Sequence, residues 1–198
     1  MSAKGEKKIS RITTKGGDKG QTSLYKVGRV RKDHPHIAAL GDLDELASWL
    51  GLAQAVCERA GYTHESEALH ELQEGVASVL NELALSPSRT VTDELRVYPE
   101  QLDKVEQLTE EAKTRLPPGA RKFVIPGGNV EVAYLHVART VARRAERSVV
   151  AASEDLEEGS LVIPYLNRLS DCCFALALAL QESLEPGEPL EPLEPLGT

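Results

Sequence analysis

The segment LHVARTVARRAER, residues 135–147, sets Arg139, Arg143, Arg144 and Arg147 within nine residues that hold one carboxylate, Glu146. A guanidinium is a planar fork of donors, so it matches paired phosphate or carboxylate oxygens better than an ammonium does. Read as a helix, Leu135, Ala138, Ala142, Ala145 and Val149 step by 3, 4, 3 and 4 residues and make an apolar seam. His136, Arg139, Arg143 and Glu146 follow one residue later as a polar stripe beside it, with Arg147 one turn past Arg143. Like charges at i, i+4 disfavour an isolated helix by roughly a few tenths of a kcal/mol per pair, so something outside should offset them. Polyphosphate is one candidate, carboxylates on a neighbouring helix are another, and a solvated charged face is the plain alternative.

A second segment, TTKGGDKGQTS at residues 13–23, carries three glycines, Gly16, Gly17 and Gly20. Glycine lets the backbone turn several N–H groups toward one anion. Thr14, Thr22 and Ser23 add hydroxyls, and Lys15 and Lys19 add charge. The Walker pattern is absent, so the loop alone is also compatible with a simple flexible turn. A third segment, PYLNRLSD at residues 164–171, places Asn167 and Asp171 at i, i+4, and Arg168 and Asp171 at i, i+3, where they could pair. A lone helical asparagine is more often structural than ligand-binding.

These residues need a scaffold, and the pattern predicts an all-α five-helix bundle. Residues 1–36 are polar and glycine-rich, with strand character at TSLYKVGRV, and read as a loop or short hairpin. From Ile37, Leu43, Leu46, Leu50, Ala53 and Cys57 form a helical stripe, with Asp42 as N-cap and Gly61 as the stop. A second helix is expected over residues 65–85, a third from near Pro99 to Arg115, a fourth capped by Asn129 and running to about residue 152, and a fifth from about Ser160 to near Ser183. The segment KFVIPGG should be short and extended, and SEDLEEGS a solvated link. Residues 1–36 and 37–183 would thus form one domain, a phosphate-binding segment and the bundle. Residues 184–198 contain the EPL repeat, which proline and like charge should keep disordered.

Composition bounds the function. The 198 residues carry a net charge of −8, which argues against general nucleic-acid binding. Only 4% of residues are aromatic, so the core must be mostly Leu, Val and Ala, the mixture of helix-on-helix packing. Cys57, Cys172 and Cys173 make neither a disulfide framework nor a zinc site, and suggest a reduced, cytoplasmic protein. No uninterrupted apolar run of membrane-spanning length is present, so no membrane span is expected. The first residues lack the apolar region of a secretory signal, and a short organelle address stays open.

Taken together, TKGGDKGQTSL, GRVRKD followed by ALGDLDEL, then PGG with LHVARTVARRAER, then YLNRLSD resemble the PduO-type ATP:cob(I)alamin adenosyltransferases, also called corrinoid adenosyltransferases. The resemblance covers roughly residues 10–182. It implies a five-helix bundle assembled as a homotrimer with ATP between subunits. By motif, it implies that Thr14, Lys15, Gly16 and Gly17, with Thr22 and Ser23, sit on the ATP phosphates. It carries over Lys32 as a lysine near the nucleotide, Arg143, Arg144, Glu146 and Arg147 as the ATP segment, and Asn167 as a nucleotide contact. Arg139 would pair across the interface with an early acidic residue, Asp44, and Phe123 would stand at the corrin face. No protein metal ligand is implied, and Mg2+ would come with the ATP phosphates. Gly16 and the DCCF stretch depart from the common pattern, so Gly16 can contact only through backbone and Cys172 and Cys173 alter packing.

The implied reaction moves the 5′-deoxyadenosyl group of ATP to the cobalt of cob(I)alamin and releases triphosphate. A cob(II)alamin reductase and a B12-dependent mutase are the implied partners. The rival readings are a non-catalytic ATP or corrinoid carrier for such a mutase, and a structural trimer whose arginines only pair between subunits.

Overall fold

Prolines or capping side chains set where three of the helices begin. The computed structural model describes residues 13, 15–88, 91–117 and 124–184. Helix α1 spans Pro35–Ala60, where proline at the start has its backbone preset for a helix. His34 Nδ1 accepts from the His36 amide at 3.2 Å, so His34, not Asp42, is the N-cap. The apolar stripe marks only the buried part of α1, and Asp42 lies inside the helix. Gly61 ends α1 as expected, at φ 85°, with its amide donating to the Cys57 and Glu58 carbonyls.

Helix α2 spans Thr63–Leu85, α3 Pro99–Thr114, α4 Val130–Ala151 and α5 Val162–Leu184. Asn129 caps α4 as expected, its Oδ1 accepting from the Val132 amide at 2.9 Å. Strands β1, Gln21–Leu24, and β2, Gly28–Arg31, form an antiparallel hairpin with Gln21 opposite Arg31. Residues 124–128, the described part of KFVIPGG, lie outside any strand.

Helices α1, α4 and α5 pack in sequence, with α2 against α1 and α3 against α5. Leu135, Ala138, Ala142, Ala145 and Val149 are fully buried, as are Leu43, Leu46, Leu50, Ala53 and Cys57, so both stripes meet in one core. Tyr165 of α5 donates its hydroxyl to the Leu72 carbonyl at 3.1 Å and lies directly over Gly75 of α2. The buried Glu82 accepts from the Val97 amide at 2.8 Å and the Ser160 hydroxyl at 2.6 Å, which ties two connecting segments to α2. By length and mean hydropathy the Val162–Ser183 stretch of α5 could cross a bilayer, although charged and polar residues interrupt its apolar run. Its window is 61% buried inside the protein, as befits a central core helix.

Candidate functional site

The glycine loop closes on the hairpin that follows it. The Gly20 amide donates to the Gly17 carbonyl at 3.1 Å, and the Lys32 amide to the Gly20 carbonyl at 2.9 Å. Arg29 donates to the Gly16 carbonyl at 2.7 Å. A β-carbon on Gly17 would come within 3.0 Å of Lys32 Nζ, so the lysine lies over a bare stretch of backbone. Lys15 adopts a left-handed conformation at φ 57° and is exposed. The loop thus gathers Lys15, Gly16, Gly17 and Lys32, with half-buried Thr22 and exposed Ser23 on β1. Thr14 lies outside the described residues.

The arginines of α4 divide between two directions. Arg143 and Arg147 are exposed, and Arg147 Nη1 donates to the Arg143 carbonyl at 2.9 Å. Arg144 turns to α1, where it pairs with Glu45 and holds Asp42 at 3.4 Å from Nε. Hydrogen bonding to Glu45 is the main reason its guanidinium is pushed further above an already high pKa. Ser148 donates to the same Asp42 carboxylate. Glu146 accepts from Asn167 Nδ2 at 3.2 Å, joining α4 to α5. Arg168 donates to Asn167 Oδ1 at 2.6 Å and to Glu106 of α3 at 3.1 Å. The pair suggested for Arg168 and Asp171 is thus replaced by one with Glu106, because α3 packs on that side of α5.

His136, Arg139, Arg143, Ser170, Asp171 and Phe174 line a cleft of about 210 Å3 between α4 and α5. His136, placed by spacing on the polar stripe, is 3% exposed, and its ring lies 6.2 Å from that of Phe174. Arg139 stacks its guanidinium carbon 5.6 Å over the same Phe174 ring. Asp44 is exposed on α1, and among the described residues it forms no ion pair with Arg139 within the chain. Phe123 lies outside the described residues.

Burial raises all three thiols: Cys57 to about 12, Cys172 to about 11, and Cys173 well above the ordinary value. None is a thiolate near neutral pH, so none serves as a nucleophile. The glycine loop with Lys15 and Lys32, and separately the α4–α5 face with Arg143, Arg147 and Asn167, offer cations and hydrogen-bonding groups, which suits holding a polyanion rather than attacking one.

Sequence spacing missed the Asp42–Glu45–Arg144–Ser148 cluster and the burial of His136. A signal for the first was present: Asp42 and Glu45 stand at i, i+3 beside the apolar stripe of α1, a ready partner for a cation on a neighbouring helix.

A family profile described as cobalamin adenosyltransferase matches residues 12–180. The corrinoid adenosyltransferase of Bacillus subtilis is 38% identical over 171 residues, 84% of each chain. The corrinoid adenosyltransferase PduO of Citrobacter freundii is 37% identical over 168 residues, 85% of this chain and 49% of that protein. The chain thus spans about half the length of the PduO relatives from Citrobacter freundii and Salmonella typhimurium. Among solved structures, a variant PduO-type ATP:corrinoid adenosyltransferase from Lactobacillus reuteri, complexed with cobalamin and ATP, superposes with a TM-score of 0.75 at 32% identity, covering 86% of this chain and 91% of that one.

Proposed function

The chain belongs to the cobalamin adenosyltransferase family, and on that premise we propose that it transfers the 5′-deoxyadenosyl group of ATP to the cobalt of cob(I)alamin. The cobalt electron pair forms the Co–C5′ bond as the C5′–O bond to triphosphate breaks, and triphosphate leaves. The Glu146–Asn167 hydrogen bond carries this reading, since it joins the arginine segment of α4 to the YLNRLSD segment of α5 beside the exposed Arg143 and Arg147. A solved relative complexed with cobalamin and ATP supports it.

The protein's contribution is position and charge. Arg143, Arg147, Lys15 and Lys32, with the backbone of Gly16 and Gly17 and the hydroxyls of Thr14, Thr22 and Ser23, hold the triphosphate as its negative charge grows. Mg2+ enters with ATP as part of the substrate. Asn167, held by Glu146 and Arg168, contacts the nucleotide. Arg144 keeps α4 against α1 and reaches phosphate only by leaving Asp42 and Glu45. We assign Phe123 to the corrin face, residues 1–36 to phosphate binding and 37–183 to the bundle, and residues 184–198 to a tail outside the reaction. Arg139 pairs with Asp44 of a neighbouring copy in a homotrimer. The setting is cytoplasmic, a reading that three free cysteines support, with a cob(II)alamin reductase upstream and a B12-dependent mutase downstream.

The test is direct. Protein, ATP, Mg2+ and chemically reduced cobalamin are mixed anaerobically, and corrin absorbance and triphosphate are followed. Stoichiometric formation of adenosylcobalamin and triphosphate is the expected result. Binding of both substrates without triphosphate release would overturn the reading.

A further inference from the structure

Buried polar groups in folded proteins are almost always hydrogen-bonded, because a lost hydration shell must be replaced. His36 shows the ordinary solution: its Nε2 lies 2.8 Å from the Leu83 carbonyl oxygen and 3.4 Å from the Ser86 hydroxyl. His136 is nearly as buried, at 3% exposure, yet neither Nδ1 nor Nε2 has a partner among the described residues. One turn on, the buried Nε of Arg139 has none either. Both residues line the same cleft between α4 and α5. Phe174 walls it with carbon beside both of them. Ser170, also in the wall, donates its hydroxyl to the Asn167 carbonyl at 2.9 Å. Three buried polar atoms without a partner among the described residues thus belong to two residues that line one cleft.

Their chemistry describes the occupant. Burial first, then the nearby Arg139 charge, lowers the pKa of His136, so the ring is uncharged near neutral pH. Such a ring presents one N–H donor and one acceptor nitrogen. Phosphate and carboxylate oxygens only accept, and would leave the acceptor nitrogen unmet. A primary carboxamide offers an N–H donor and a carbonyl acceptor side by side, so its N–H can donate to the acceptor nitrogen of the ring while its oxygen accepts from Arg139 Nε. At about 210 Å3 the cleft is smaller than the roughly 300–1,000 Å3 of pockets that enclose whole ligands, so it holds a side arm of a larger molecule. Corrinoids carry carboxamide arms around the ring.

We propose that His136, with Arg139 Nε beside it, binds a rim carboxamide of the corrinoid and thereby sets the affinity and orientation of that substrate. The terminal nitrogens of Arg139 stay available for Asp44 of a neighbouring copy. This inference rests on the adenosyltransferase reading and adds a contact to it.

Two measurements test it. Cob(II)alamin is titrated in the presence of ATP against the parent, His136→Phe and His136→Asn, and ATP affinity is measured separately by calorimetry. Losing one or two hydrogen bonds should weaken cob(II)alamin binding by about tenfold in His136→Phe. ATP affinity should be unchanged, and His136→Asn, which keeps a donor and an acceptor, should recover part of the loss. Because a core substitution can fail to fold, the imidazole 15N shifts of the parent supply an independent reading: they should move on adding hydroxocobalamin with ATP and stay fixed with ATP alone. Unchanged cob(II)alamin affinity in a folded His136→Phe, or shifts that move with ATP alone or with neither ligand, would overturn the proposal and leave water or the nucleotide as the occupant. A parent protein that binds no cobalamin removes the adenosyltransferase reading as well, whereas a parent that binds and turns over normally confines any failure to His136.

Discussion

Arg144 of α4 is paired with Glu45 of α1, while its chain neighbour Arg143 is exposed to solvent. Consecutive helical residues point about 100° apart, so two adjacent arginines serve different surfaces. Asp42 and Ser148 join the pair and make it a polar tie between α1 and α4. Substituting the two arginines should therefore give different phenotypes. Arg143→Ala removes a charge-assisted phosphate contact of about 1.5–3 kcal/mol, so ATP affinity should fall about ten- to a hundredfold. Arg144→Ala should lower stability by at most about 1 kcal/mol, since both side chains of the pair are nearly half exposed, and should change ATP affinity far less. Calorimetric ATP titration and denaturant melts of both variants check this. An equal loss of ATP affinity in the two would place Arg144 on the phosphates.

Gly75 should resist substitution. An added β-carbon would overlap the Tyr165 hydroxyl and ring, and Tyr165 is itself fixed by the Leu72 carbonyl. Alanine gains about 1 kcal/mol of helix propensity, but overpacking costs about 1–3 kcal/mol or more. A net loss of stability is expected for Gly75→Ala. The double variant with Tyr165→Leu should lose less than the sum of the single changes, because the overlap is gone. Chemical denaturation of the three variants decides it, and simple additivity would count against this contact.

Stability should fall in mild acid because of His136. Its folded pKa lies below the ordinary 6.5, chiefly through burial and then through the Arg139 charge. About one unit or more above pH 6.5 the ring is neutral in both states and contributes no pH dependence. As pH falls below that value, the unfolded chain takes up a proton that the folded protein refuses. Stability then drops, by at most about 1.4 kcal/mol per pH unit, until the folded pKa is reached. Arg143, from α4, and Asp171, from α5, also face the cleft. His136→Leu should flatten the slope between pH 6.5 and 5 relative to the parent. Parallel slopes in the two proteins would show that the imidazole protonates freely in the folded state.

Assembly should depend on Arg139 and Asp44. Arg139→Glu sets two carboxylates against each other at the proposed subunit contact, and the trimer should weaken. Adding Asp44→Arg restores opposite charges and should recover part of the association. Sedimentation at micromolar concentration reads the result. A monomeric parent would remove the proposed contact.

The bundle itself was legible in the sequence. The 3, 4, 3, 4 steps of α1 and α4 locate the buried seams to the residue, because helical period and burial impose the same rhythm. Asn129 and Gly61 act as cap and stop because each satisfies terminal backbone groups through its own local geometry. Asp42 shows the limit of that reasoning. A carboxylate near the start of an apolar stripe resembles a cap, but the helix had already begun at Pro35, and α4 gave Asp42 a partner instead. His136 shows a second limit. Its neighbour Leu135 fixes the direction of the seam, whereas the width of the covered arc depends on what packs there, and Phe174 of α5 brings the imidazole under cover. Periodicity states an angle on one helix. Which side chains lose their water, and which cation meets which carboxylate, is decided by a second helix whose position no local spacing encodes.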